Sequence, residues 1–201
     1  MRTLFVIPII RHEEDRAALF GDQFSSTDEV WSGIRRTIAE LELPYASVRL
    51  YQDALPLFGK EPDVVRQNAT QGSRNHRLLL DLMEQGARLV GTEDPKLLLQ
   101  EYQLLQDDLS GATQGLENRR KDQSERLLSA RDRFIAGRIN ATLSAGEIGL
   151  LFLGPDHSPG PYLDADIVVK YLLPSLRDRQ AKAEPTGDRA SPKPIAHLQQ
   201  E

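Results

Sequence analysis

Residues 146–160 read GEIGLLFLGPDHSPG. An apolar run stops at Gly154 and delivers Asp156 and His157 into a loop rich in Gly and Pro. A buried strand that ends in such a turn puts titratable groups where α/β proteins build their sites, outside the carboxyl ends of the strands. The same event recurs along the chain. Leu4 to Ile10 is a β-branched apolar run, expected to be a strand buried on both faces, and it exits into His12-Glu13-Glu14-Asp15. Ala46 to Tyr51 exits into Gln52-Asp53, and Ala87 to Val90 into Thr92-Glu93-Asp94. Ile167 to Leu172 makes a fifth strand, near the sheet edge ahead of Pro174.

Helical patterns separate these strands. Ser26-Thr27-Asp28-Glu29 offers N-caps ahead of Val30, Trp31, Ile34, Ile38 and Leu41, spaced three and four apart, and Pro44 ends the helix. Gly72-Ser73 opens a second helix with Leu78, Leu79, Leu82 and Met83 on its apolar face and Gly86 as C-cap. From Pro95 a long helix carries Leu97, Leu98, Leu99, Tyr102, Leu104 and Leu105. A break at Gly111 to Gly115 follows, then a charged helix from about Glu117 to Leu143 with Leu127, Leu128, Phe134, Ile135 and Ile139 as its stripe. The first half of that last helix is polar nearly all round, which directs it to solvent or to a partner. The pattern predicts an α/β fold: a mostly parallel central sheet of about five strands flanked by helices, with a long helical hairpin (96–143) inserted after strand three. One domain is expected over 1–177. Beyond it the tail, 178–201, holds Lys, Asp, Glu, Pro, Gly and Ser without an apolar period and is expected to be disordered.

Composition narrows the function classes. Against 25 Lys+Arg stand 30 Asp+Glu, a net charge of -5 that lacks the basic footprint of a nucleic-acid binder. Cysteine is absent, so thiolate metal sites and a Cys nucleophile are excluded and any metal must sit on His, Asp or Glu. The apolar start is short, holds Pro8 and runs into charge, so it reads as a strand rather than a signal peptide, and no stretch approaches a membrane span. A soluble, cytoplasmic protein is expected. Gly111-Ala112-Thr113-Gln114-Gly115 has no following Lys-Ser/Thr, which argues against a phosphate-cradling loop.

If the strands are parallel, their exits share one sheet edge, and side chains far apart in sequence converge there. Two imidazoles, His12 and His157, with several carboxylates form the ligand set of a divalent cation such as Mn, Co or Zn, or of paired acid/base work on water. The expected metal ligands are His12, His157 and Glu13. Glu93, Arg131 and Asp156 are the expected catalytic groups. Asp94-Pro95 reads as an N-cap with Pro at the first helical position. Arg131 and Arg138 lie seven apart on one helix face, where an arginine directed to the core needs an acidic partner or an anionic ligand.

Four pieces, in order, carry a resemblance. They are His12 after LFVIPII, Gly72-Ser73-Arg74-Asn75 ahead of RLLLDLMEQGARLVGTED, Arg131-Asp132 in ARDRFIAGRI, and Gly154-Pro155-Asp156-His157. Together they resemble the TraB/PrgY/GumN family, which groups with the TIKI proteases and erythromycin-esterase-like hydrolases. The resemblance spans about Leu4 to Gly160. It implies metal-dependent hydrolysis of a peptide or ester bond, with His12 and His157 as ligands, a carboxylate as ligand or base, and Arg131 steadying an anionic group. The chain departs from the pattern at Asn75, where the family's GxxE places glutamate, and at Pro8 to Arg11, which replace a small-residue turn. An amide supplies neither charge nor basicity, so Glu93, Asp53 or Glu13 substitutes, or catalysis has been lost. The competing expectation is a non-catalytic ligand-binding or interaction module on the same scaffold, which uses the acidic edge and the helical hairpin to hold a small molecule or a partner. The expected substrate of a hydrolase is a small molecule or peptide, and a second copy or another protein is expected to engage the hairpin.

Overall fold

A computed structural model describes residues 1–10, 12–109 and 117–173. Its core is a five-stranded sheet in the order β3-β2-β4-β1-β5, built from β1 (Arg2–Pro8), β2 (Val48–Gln52), β3 (Arg88–Val90), β4 (Ile148–Leu153) and β5 (Ile167–Tyr171). Every neighbouring pair is parallel, as helix-separated strands require. The carboxyl ends of all five therefore share one edge. β5 lies at the sheet edge, beside β1.

The central strands are apolar without interruption because both faces are covered. On one face Ile7, Val48, Leu50, Leu150 and Phe152 pack with Val30, Trp31, Ile34 and Ile38 of α2 (Thr27–Glu40) and with Leu78, Leu79 and Leu82 of α4 (Arg74–Glu84). Arg35 of α2 pairs with Asp81 of α4. On the other face Leu4, Val6, Tyr51, Leu151 and Leu153 meet Ile135, Ile139 and Leu143, the first two from α6 (Glu117–Thr142). Gly149 permits the close approach on this face, since a Cβ there would stand 2.6 Å from Leu4 and 3.3 Å from Tyr51. Alternate residues of each strand thus feed two cores.

Two helices lie where no apolar period marks the chain. α1 (Glu13–Phe20) buries Phe20, and α3 (Glu61–Thr70) buries Val65 and Ala69. The hairpin arms are α5 (Pro95–Leu109) and α6. Asp94 caps α5 as its Asp-Pro step predicts, its Oδ1 accepting from the Lys96 amide at 2.8 Å. The expected break at 111–115 and the expected disordered tail lie outside the described residues. Among those described, no helix is long and apolar enough to cross a membrane.

Candidate functional site

The site begins at the end of β2, where successive side chains point to opposite faces of the sheet. Gln52 turns toward α4: its Oε1 accepts a hydrogen bond from Asn75 Nδ2 at 3.0 Å. Asp53 turns toward α6 and accepts from Arg131 Nη2 at 2.8 Å through Oδ1. Its other oxygen, Oδ2, accepts from the Gly154 amide at 3.2 Å. Only glycine fits at 154, because a Cβ there would lie 2.7 Å from that oxygen. The sharp end of the apolar run is thus a requirement of the site.

Glu93 arrives from the turn after β3. Thr92 extends the pairing past the end of the strand, its Oγ1 accepting from the Gln52 amide at 3.1 Å, and the Thr92 and Glu93 amides both donate to the Leu55 carbonyl. Glu93 is wholly buried and meets Arg131 twice, Oε1 at 2.6 Å from Nη2 and Oε2 at 3.3 Å from Nε. A third carboxylate, Glu101 of α5, accepts from Arg131 Nη1 at 2.5 Å. Burial opposes the charge of Arg131, but Glu93, Asp53 and Glu101 outweigh it and raise its pKa. Burial likewise raises the pKa of Glu93, and contact with Arg131 offsets only part of that.

His157 closes the constellation from the turn after β4. Its Nδ1 lies 2.6 Å from Asp132 Oδ1, and its Nε2 lies 3.3 Å from Asp53 Oδ1. Asp132 Oδ2 also accepts from the Ser158 amide at 3.0 Å, so the loop is pinned to α6 at two points. Burial works against protonation of the ring. The hydrogen bonds to Asp132 and then to Asp53 prevail, and the pKa is pushed up to about 9. Asp53, Glu93 and His157 each offer a ligand atom within 4.8 Å of the others. Around them, four carboxylates, Asp53, Glu93, Glu101 and Asp132, face two cations, Arg131 and His157.

Other residues singled out in the sequence lie elsewhere. His12 is exposed at the N-cap of α1, its backbone amide donating to Asp15 Oδ2 at 3.0 Å. β1 pairing carries on beyond the strand, with the Ile9 amide donating to the Leu153 carbonyl, and buried Ile9 and Ile10 carry the chain onward before the histidine is reached. Glu13 is engaged by the Thr27 amide at 2.9 Å and Arg16 Nε at 2.8 Å, which lower its pKa and tie α1 to α2. Neither His12 nor Glu13 belongs to the Asp53–Glu93–His157 group. Asp156 is exposed in the turn ahead of His157. Asn75 is buried on the α4 side, where it also accepts from Ser73 Oγ at 2.6 Å. Arg138 donates to the Gly91 carbonyl at 3.0 Å, a structural bond between α6 and the β3 turn.

Three participants had no firm role in the sequence reading. Asp132 follows Arg131 and could be flagged only as half of an Arg-Asp step, and Asp53 as a carboxylate at the exit of the second strand and one candidate substitute for a missing glutamate. Glu101 carries no local signal. Comparisons with family models, with curated proteins and with solved structures return no match.

Proposed function

We propose that this chain is a metal-dependent hydrolase acting on a peptide or ester bond, as the resemblance to the TraB/PrgY/GumN family implies, with Asp53, Glu93 and His157 as its cation site. One observation carries the reading: Asp132 holds Nδ1 of His157 and leaves Nε2 facing Asp53 and Glu93. A carboxylate behind a histidine fixes the tautomer and raises the basicity of the opposite nitrogen, which is how ligating histidines are oriented. Charge supports it, since the carboxylates outnumber the cations and burial holds the pKa of Glu93 above its ordinary value even with Arg131 beside it. The donor set, one imidazole with two carboxylates, suits Mn, Co or Zn.

A divalent cation held there would polarise the scissile carbonyl and lower the pKa of a water molecule. The chain's own residues supply the remainder. Glu93 Oε2, held less closely by Arg131 than Oε1, is the oxygen that accepts a proton from water. Arg131 keeps Glu93 and Asp53 in place, and Asp132 orients His157.

Burial favours a second reading. Asp53, Glu93, Arg131, Asp132 and His157 are all buried, as they would be if the cluster merely fastened α6 to the sheet in a non-catalytic binding module. Thermal melting in EDTA and then in excess Mn, Co or Zn separates the two. A hundredfold excess over the dissociation constant stabilises the hydrolase by about 2.7 kcal/mol, and the effect disappears in Asp53→Asn and His157→Gln. Fluorogenic esters and peptides are then cleaved with metal and not with EDTA. Melting indifferent to all three metals leaves the binding module.

A further inference from the structure

α5 meets α6 along one side. Leu97, Glu101 and Leu104 lie on that side, where Glu101 reaches Arg131. The opposite side is apolar and open: Leu99, Tyr102 and Leu105 are 56%, 60% and 56% exposed, with Leu98 half-buried beside them. At 3.6 residues per turn these four fall within an arc of about 120° centred on Tyr102. A surface helix ordinarily turns such an arc to the core.

Charge is missing from the open side as well. The chain has 25 Lys+Arg and 30 Asp+Glu, yet the exposed residues between positions 97 and 106 are Leu99, Gln100, Tyr102, Gln103, Leu105 and Gln106. The one charged residue of that span, Glu101, faces inward. An aromatic, apolar patch depleted of charge has the composition of an interface centre rather than of solvated surface.

The occupant that fits is a second copy. α5 opens with Lys96 and closes on Asp107-Asp108. Two such helices, packed antiparallel with Tyr102 on the two-fold axis, bring Leu99 of each level with Leu105 of the other. The basic start of each meets the acidic end of its mate, and the helix dipoles oppose. Parallel packing would set Lys96 against Lys96 and lose both gains. We propose that this chain self-associates through α5, as a two-fold dimer of antiparallel helices centred on Tyr102. One 15-residue helix per copy, about 22 Å long, makes a small contact, so the dimer forms in the micromolar range. It draws on neither the cation site nor the hydrolase reading.

The test is sedimentation velocity over about 5 to 500 μM. The wild-type mass rises with concentration from one chain toward two. Tyr102→Lys sets like charges on the axis and holds the mass at one chain throughout, and Lys96→Glu weakens association about threefold. These are surface positions, and circular dichroism checks that each variant is folded. Because the chain has no cysteine, single substitutions report the register directly. Mild oxidation links Tyr102→Cys into a dimer, since helices in contact bring the two Cα atoms on the axis within about 6 Å. Leu99→Cys does not link, because its two copies stand about 9 Å apart along the helices. A mass of one chain at every concentration overturns the proposal, as does a dimer that survives Tyr102→Lys or equal linkage of the two cysteine variants.

Discussion

Gln52 and Asp53 are neighbours at the end of one strand, and the sheet sends them to opposite faces with opposite chemistry. On the α4 side, Gln52 and Asn75 satisfy each other as neutral amides. On the α6 side, Asp53 enters an assembly of two cations and four carboxylates, buried but for the half-exposed Glu101. Both ends fasten a helix to the sheet, yet the first does so at small desolvation cost and the second at large cost. A buried ion cluster rarely stabilises a fold more than apolar side chains of similar volume would. Stability alone therefore accounts for the amide pair and not for the charged one.

The sharpest way to break this comparison is to remove the central cation. Arg131→Met leaves Asp53 and Glu93 buried without their partner and costs about 3–5 kcal/mol in urea denaturation. Adding Asp53→Asn and Glu93→Gln restores most of the loss. If the triple variant is instead less stable than Arg131→Met, the cluster is held for stability and the contrast between the faces is lost.

A pH series sharpens it next. In metal-free protein the folded pKa of His157 is pushed up to about 9 from an unfolded value near 6.5, so the protonated ring favours the fold. That stabilisation, on the order of 3 kcal/mol, is fully present below about pH 6.5 and is lost as pH rises through about 9. Glu93, its pKa raised by burial, adds a fall in stability of the same sign just above the ordinary carboxylate range. Denaturation at pH 6 and pH 10 reads the slope, and His157→Gln flattens it. A wild-type profile that is level or rising over this range contradicts the charge assignment.

The amide side gives the smallest effect. Asn75→Ala strands the Gln52 amide oxygen and costs about 1–2 kcal/mol, with cation affinity unchanged. A large fall in cation affinity in this variant would join the two faces into one site.

What the sequence disclosed follows from what each element buries. β1, β2 and β4 are covered on both faces, so their apolar runs were legible, and with them the shared edge that holds Asp53, Glu93 and His157; Arg131 stood out by its helix face instead. α1 and α3 bury so little, Phe20 in one and Val65 with Ala69 in the other, that no periodic stripe marks them. Asn75 was drawn toward the site by motif order, but α4 packs on the far face and delivers it to Gln52. His12 was counted from Ile10 as the end of a strand, but β1 ends at Pro8 and Ile9 and Ile10 pack into the core beyond it, so the histidine becomes an exposed helix cap. Glu101 was beyond reach because the register of α5 against α6 is a tertiary fact with no local trace.

On the function proposed here, His157 Nε2, Asp53 and Glu93 together bind a divalent cation. Calorimetric titration of metal-free protein with Mn, Co or Zn near neutral pH, in two buffers of different ionisation enthalpy, tests it most directly. Because His157 begins protonated, binding is expected with release of about one proton, and both heat and release vanish in His157→Gln. Absence of binding for all three metals, or binding that releases no proton and survives His157→Gln, would contradict it.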